Sequence, residues 1–192
     1  MRDENAENNP EDFDLLAEFN AGSEDAFTRI VEKHSGPLIN FLYRYTRNQS
    51  ASEDIAQEAF LRVYKAAPGL KPDAKLSTIL YKIAYNLAVD QARKDKSRAA
   101  RVPTENLDAA EGAGEPSAGP ETAPEAIMEK SRRDAEIAAG LAELPANQQL
   151  VLILKAYEGR SYAEIAEITG LSVSAVDSLL FRARQTLAKK LK

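Results

Sequence analysis

A stretch of 25 residues near the middle of the chain limits what the rest can fold into. Eighteen of the residues between 102 and 126 are Ala, Pro, Gly or Glu, and large apolar side chains are almost absent. Such a segment cannot bury enough apolar surface to offset the conformational entropy lost when it becomes ordered. It therefore predicts a mobile, partly extended linker that is stiffened by its prolines. We expect the 192 residues to fold as two modules, one on each side of this linker.

On both sides of the linker, apolar residues recur every three or four positions, which is the spacing of one helix face. The sequence therefore predicts an all-α fold of two small helical modules. We divide the chain into an acidic disordered tail at residues 1–11, a helical module at 12–98, an acidic linker at 99–130 and a second helical module at 131–192. The predicted helices span residues 14–21, 24–32, 38–45, 50–65, 76–94, 135–144 and 147–157. Ser50 is the expected cap of the fourth helix, and residues 67–74 are a predicted loop.

Residues 161–184 predict two further short helices joined by a tight turn. Ser161 and Glu164 have the spacing of a capping box, and Gly170 can adopt the left-handed conformation that ends a helix. Ser172 can cap the next helix. The apolar positions of that helix are Val173, Val176, Leu180 and Ala183. Two short helices about a glycine turn are typical of a helix-turn-helix, whose second helix lies in the major groove of DNA.

The net charge of −5 at pH 7 conceals two basic modules between acidic segments. Residues 1–32 carry a net charge of −8, residues 33–101 carry +7, residues 102–129 carry −7 and residues 130–192 carry +3. Clustered basic charge of this kind favours a polyanionic partner for the two modules.

The rarest residue types exclude several classes of function. The chain has no cysteine and one histidine, so it has no disulfide, no thiol redox switch and no cysteine metal site. We expect His34 to be a partly buried helix residue without a metal or catalytic role. No apolar run approaches the length of a membrane helix. The sequence thus predicts a cytoplasmic protein that is not an enzyme and needs no cofactor.

The predicted helix at 76–94 combines an inward apolar stripe with an outward basic and aromatic face. Basic groups beside an aromatic ring suit a nucleic-acid strand, because the charges follow the phosphates and the ring can stack on a base. The outward positions are Thr78, Lys82, Tyr85, Asn86 and Arg93, with Lys71 and Lys75 in the loop before the helix. The alternative is a solvated basic face with Tyr85 packed in the core.

Two separate parts of the chain resemble one protein family. The first part resembles regions 2.2 to 2.4 of a bacterial sigma factor, in the strings SASEDIAQEAFLRVYKA (residues 50–66) and LSTILYKIAYNLAVDQARK (76–94). The second part resembles region 4 of the same family, in the string LPANQQLVLILKAYEGRSYAEIAEITGLSVSAVDSLLFRARQTL (144–187). Two modules in this order, joined by a short linker, resemble the extracytoplasmic-function (ECF) group of the sigma-70 family.

The resemblance implies three binding surfaces. One would dock on the clamp helices of the largest catalytic subunit of core RNA polymerase, through Asp54, Gln57, Glu58, Leu61 and Arg62. A second would hold the promoter −10 element as a single strand, through Lys71, Lys75, Leu76, Ser77, Lys82, Tyr85, Asn86 and Arg93. A third would read the −35 element as duplex DNA, through Ser161, Ser172, Ser174, Ala175, Asp177, Ser178, Phe181, Arg182 and Arg184.

The predicted reading helix departs from a common family pattern. It carries Asp177, Leu179 and Phe181 where many relatives carry Lys, Arg and His. Asp177 would repel phosphate but could accept a hydrogen bond from cytosine N4, and Leu179 is expected to pack in the core. The resemblance also implies an anti-sigma factor as a further partner. Such a partner is often anchored in the membrane.

Three other interpretations remain open. A helix-turn-helix regulator would bind duplex DNA alone, usually as a dimer. An enzyme would have to work with paired carboxylates, and most acidic residues lie in the tail and linker. An interaction protein could bind a basic partner through its acidic segments, which is compatible with a sigma factor.

Overall fold

The computed structural model describes residues 9–99 and 136–190, and these ranges contain α-helices and no strand. The predicted all-α class is therefore confirmed for the described part of the chain. Most of the predicted linker lies outside the described residues. The helices are α1 (Asn9–Asn20), α2 (Glu24–Thr46), α3 (Gln49–Ala66), α4 (Leu76–Ala99), α5 (136–142), α6 (Ala146–Ala156), α7 (Tyr162–Thr169) and α8 (Val173–Lys190). In the described ranges no helix is long and apolar enough to cross a membrane.

Helix α2 is continuous, so the prediction of two separate helices at 24–32 and 38–45 was wrong. Pro37 lies inside it and cannot donate a hydrogen bond to the carbonyl of Lys33. The helix continues because both of its halves are anchored: Phe27 and Ile30 are buried before the proline, and a second group is buried after it. The second group comprises Leu38, Phe41 and Leu42. Tertiary burial here outweighs the local cost of the proline.

Two predicted helix starts also need correction. Helix α1 begins at Asn9, so residues 9–11 belong to a helix and not to a disordered tail. Helix α3 begins one residue before Ser50, and its N-cap is Asn48, whose side chain accepts a hydrogen bond from the amide of Ala51 at 2.9 Å. Asparagine is as good a cap as serine, and its position one residue before the helix lets it take that role. The first part of the predicted loop, Ala67–Gly69, is a turn of 3-10 helix.

Helices α1 to α4 form the first module. Helix α3 packs between α2 and α4, and α1 packs against α2. The stripe predicted on α4 is confirmed as core, since Leu76, Leu80 and Ala84 have no exposed surface. These contacts fix the relative positions of the outer faces of α3 and α4.

Helices α5 to α8 form the second module, and the predicted helix-turn-helix is confirmed in detail. Ser161 and Glu164 form both hydrogen bonds of the capping box, and Gly170 ends α7 at a φ of 73°. The hydroxyl of Ser172 accepts a hydrogen bond from the amide of Ala175 at 3.2 Å, as expected of a cap. Helix α8 buries Val176, Leu180 and Ala183 against α6 and α7. Val173, which we expected in the core, is half exposed.

The two modules pack directly against each other. Helix α4 contacts α7, and α2 contacts α6. The buried apolar side chains of both modules belong to one contiguous cluster. The sequence predicted modules on a tether and gave no sign of this contact.

Candidate polymerase and nucleic-acid interfaces

One face of α3 carries the residues predicted to dock on polymerase. Asp54, Gln57, Leu61 and Arg62 are exposed and Glu58 is half-buried, while Ile55, Ala59 and Val63 on the opposite side are buried. Spacings of three and four residues place Asp54, Glu58 and Leu61 on one face. Leu61 keeps 45% of its surface exposed. Arg62 donates to Glu58 at 2.8 Å, so the second carboxylate is partly neutralised from within its own helix.

Tyr64 belongs to the same surface, and sequence reasoning missed it. It is 41% exposed, and its ring lies 4.8 Å from that of Phe19 and 5.1 Å from that of Phe27. Its spacing in the sequence could have identified it, because a residue three positions after Leu61 lies one helical turn further along the same face. Leu61 and Tyr64 together present an apolar strip beside the acidic residues.

Four of the residues predicted to hold single-stranded DNA are exposed around α4. Lys82, Asn86 and Arg93 lie on the outer face of the helix, and Lys71 lies in the turn before it. The Arg93 guanidinium is 3.9 Å from the Asp90 carboxylate, an exposed pair of little energetic weight. This surface is open to a polyanion.

Tyr85 is neither fully exposed for stacking on a base nor fully packed in the core, the two positions that the sequence left open. It is half-buried, and its ring packs edge-on against Tyr45 at a centroid distance of 6.2 Å. Burial raises the pKa of the Tyr85 phenol above its ordinary value, so this group stays protonated at neutral pH. Its exposed part is still adjacent to Asn86 and one turn from Lys82.

The start of α4 is covered by the second module. Lys75 and Ser77 are half-buried there, on either side of Leu76, which lies in the core. Lys75 pairs with Glu164 at 3.1 Å, and Ser77 accepts a hydrogen bond from Arg160 at 2.8 Å. Thr78, which we placed on the outward face, is 1% exposed and belongs to the core. The predicted strand-binding residues are therefore split between an open part of α4 and a covered part.

The outer face of α8 presents the residues predicted to read duplex DNA. Six of them are exposed and Ala175 is half-buried. The exposed residues are Ser174, Asp177, Ser178, Phe181, Arg182 and Arg184. Among the large apolar side chains of the described residues, that of Phe181 is the most exposed, at 62%. Ser161 and Ser172 instead use their hydroxyls as helix caps. Leu179 is half-buried against the core, as expected.

His34 is a partly buried helix residue, as predicted. Its Nε2 lies 3.1 Å from the Asp12 carboxylate, which also accepts a hydrogen bond from Lys33 at 2.8 Å. Burial of Asp12 opposes its ionisation, but the hydrogen bonds from His34 and Lys33 outweigh that effect and hold the pKa of the carboxyl below its ordinary value. This cluster joins α1 to α2.

The structure thus combines a helical module that has an exposed acidic face on α3 and an exposed basic face on α4 with a second module that contains a helix-turn-helix. This is the arrangement that the resemblance to sigma factors predicts. Residues 30–98 match the family model for sigma-70 region 2, and residues 134–187 match that for sigma-70 region 4. The first range covers most of α2 together with α3 and α4 and leaves out α1, and the second covers α5 to α7 and most of α8.

Relatives place the chain within that class. It is 33% identical over 178 residues to the ECF RNA polymerase sigma factor SigW of Bacillus subtilis, covering 89% of this chain and 91% of SigW. It is 30% identical over 185 residues to the RNA polymerase sigma factor CnrH of Cupriavidus metallidurans, covering 94% and 95% of the two chains. The chain belongs to the ECF group of the sigma-70 family.

Two solved structures share the fold. The structure of CnrH in complex with the cytosolic domain of CnrY has a TM-score of 0.67 at 24% identity, covering 94% of this chain and 97% of that one. The sigma factor RpoE bound to the anti-sigma factor NepR, from Bartonella quintana, has a TM-score of 0.66 at 21% identity, covering 86% and 96%.

Proposed function

We propose that this chain is an alternative sigma factor that binds core RNA polymerase and directs initiation at a specific set of promoters. The observation that carries the proposal is the presence of both sigma modules, in order, with the predicted α3 and α8 surfaces exposed. The chain itself performs no catalysis, because the polymerase supplies the chemistry.

The two modules would divide the promoter between them. The outer face of α4 would hold the melted −10 strand through phosphate contacts from Lys71, Lys82 and Arg93, with Tyr85 and Asn86 available to a base. Helix α8 would enter the major groove at the −35 element. Its Asp177 suits a cytosine N4 donor, and Phe181 suits apolar contact with a thymine methyl.

An anti-sigma factor is the further partner that we propose. Two structural neighbours were solved with CnrY and NepR, respectively, bound to the sigma factor. Such a partner would hold this chain inactive in the cytoplasm, or at the membrane if the partner is anchored there.

The docking face provides the first experiment. We expect the double variant Asp54→Asn, Glu58→Gln to bind core polymerase at least about tenfold more weakly, equivalent to about 1.4 kcal/mol, because two charges leave the interface. The matched control is Glu24→Gln, Asp25→Asn, which removes two exposed carboxylates from the start of α2. Equal affinity of both double variants for core polymerase would contradict the proposed face.

A further inference from the structure

Four exposed side chains form the outermost stripe of α8. Each follows the one before it by three or four residues, which places them on one face of the helix. They are Ser174, Asp177, Phe181 and Arg184. The opposite face of α8 is buried against α6 and α7. This stripe is therefore the part of α8 that would lie deepest in a major groove.

The serine hydroxyls on this side of α8 are already engaged. Ser178 donates to the carbonyl of Ser174, one turn earlier, at 2.9 Å. The Ser174 hydroxyl pairs with that of Ser172 at 3.1 Å, and Ser172 also caps the helix. A base edge that took over one of these hydrogen bonds would gain little free energy, because it would replace a bond that exists already. The serines are thus poor sources of sequence discrimination.

Asp177 differs from the serines because its carboxylate is unpaired. In the part of the chain that the structure describes, this carboxylate forms no hydrogen bond and no ion pair. A carboxylate only accepts hydrogen bonds, and its removal from water without a donor is costly. In the major groove, cytosine offers the N4 donor, guanine offers two acceptors, thymine offers one acceptor, and adenine offers a donor beside the acceptor N7. Cytosine therefore satisfies Asp177 best, and guanine penalises it most.

Phe181 lies one turn after Asp177 and is 62% exposed. Contact between its ring and a thymine methyl would remove apolar surface from water on both sides, and the other three bases have no such methyl. Four residues of α-helix rise about 6 Å, and successive base pairs lie about 3.4 Å apart. The base pairs that these two side chains contact are therefore at most about two steps apart.

We propose that Asp177 and Phe181 set the sequence specificity of this chain at the −35 element. Asp177 selects cytosine and rejects guanine, and Phe181 selects a thymine within about two base pairs of that cytosine. Arg182 and Arg184 are exposed beside them and would hold phosphates, which position the helix without reading sequence. This inference rests on the proposed function, because it needs α8 to enter the major groove at the −35 element.

The test uses holoenzyme assembled from core polymerase and the full chain. A genomic fragment from which this holoenzyme initiates is prepared as a library with its −35 region randomised, and the templates that support initiation are sequenced. The selection is repeated with three single variants, each at an exposed position of α8: Asp177→Asn, Phe181→Ala and the matched control Ser178→Ala. Circular dichroism checks the folding of each variant.

We expect the parent to enrich cytosine over guanine about tenfold at one position of the library. With Asp177→Asn, the same position should shift toward adenine, because an asparagine amide can bond both N6 and N7 of adenine. Ser178→Ala should enrich the same sequences as the parent. An unchanged base preference in Asp177→Asn, or a changed one in Ser178→Ala, would overturn the role of Asp177.

Removal of a single methyl group tests Phe181. A template in which deoxyuridine replaces the selected thymine differs from its parent only by that methyl. At limiting holoenzyme, the unchanged chain should initiate about fourfold less from the deoxyuridine template, and Phe181→Ala should initiate equally from both templates. An equal loss with both proteins would overturn the role of Phe181.

The outcome also separates this inference from the proposed function. Initiation by the parent without a cytosine or thymine preference would overturn the inference and leave the proposed function standing. Failure of the parent to initiate from any genomic fragment would overturn both.

Discussion

The buried carboxylate of Asp12 stabilises the folded chain through its contacts with α2. Asp12 lies on α1 and is 2% exposed, and it accepts hydrogen bonds from Lys33 and His34 on α2. The variant Asp12→Asn keeps the shape but removes the charge. Lys33 retains a second carboxylate, that of Glu11, at 2.7 Å. A hydrogen bond to a charged group contributes about 1.5–3 kcal/mol to the free energy of unfolding. Because Lys33 keeps its contact with Glu11, we expect a loss in the lower half of that range.

We therefore expect Asp12→Asn to lower the free energy of unfolding by about 2 kcal/mol at pH 7. For a chain of this size that corresponds to a fall in Tm of roughly 4–8 °C. The loss should depend on pH. Because the folded-state pKa of Asp12 lies below its unfolded value, the stabilisation is fully present above the unfolded pKa of about 3.8. It disappears as the pH falls through the folded pKa.

The assay is urea unfolding followed by circular dichroism at 222 nm, for both proteins, at a series of pH values from neutral to acid. The difference between them should be largest near neutrality and should shrink below pH of about 4. Asp14→Asn, an exposed carboxylate on α1, is the control. A difference that stays constant with pH, or one equal to that of the control, would refute the assigned role of the Asp12 charge.

Two further predictions concern helix geometry. Pro37→Ala should raise the free energy of unfolding by about 2 kcal/mol in the same urea assay, because it restores a backbone N–H that can donate within the helix. The greater freedom of alanine in the unfolded chain offsets only a small part of this gain. A decrease in the free energy of unfolding would mean that the helix depends on the proline. Ser161→Ala should lower the stability by about 1 kcal/mol through loss of the capping box, whereas Ser161→Thr should retain most of it. Equal losses in the alanine and threonine variants would contradict the capping role.

The local signals around the helix-turn-helix were reliable, whereas the cap expected at Ser50 is Asn48. The capping box at Ser161, the left-handed Gly170 and the buried face of α8 all follow from such signals. Pro37 shows the limit of this reasoning. The local cost of this proline predicts a break in the helix. Burial of Phe27 and Ile30 before it, and of a second group after it, keeps α2 continuous. The second group comprises Leu38, Phe41 and Leu42.

The contact between the modules could not have been predicted from periodicity. Arg160 and Glu158 look like ordinary surface charges in a turn, and their burial depends on Tyr81, which lies more than 70 residues away in the chain. For the same reason the sequence placed Lys75 and Ser77 on an open DNA-binding face. The DNA-binding roles of individual residues remain predictions.

Run-off transcription from genomic fragments by core RNA polymerase, with and without this protein, tests directly whether the chain is a promoter-specificity factor. A limited set of fragments should gain initiation only when the protein is present, after removal of any copurifying inhibitor. The same promoters should lose most of that activity with the Asp54→Asn, Glu58→Gln variant. Tight binding of the protein alone to duplex DNA, with no promoter gaining initiation, would contradict a sigma-factor function and favour a conventional helix-turn-helix regulator.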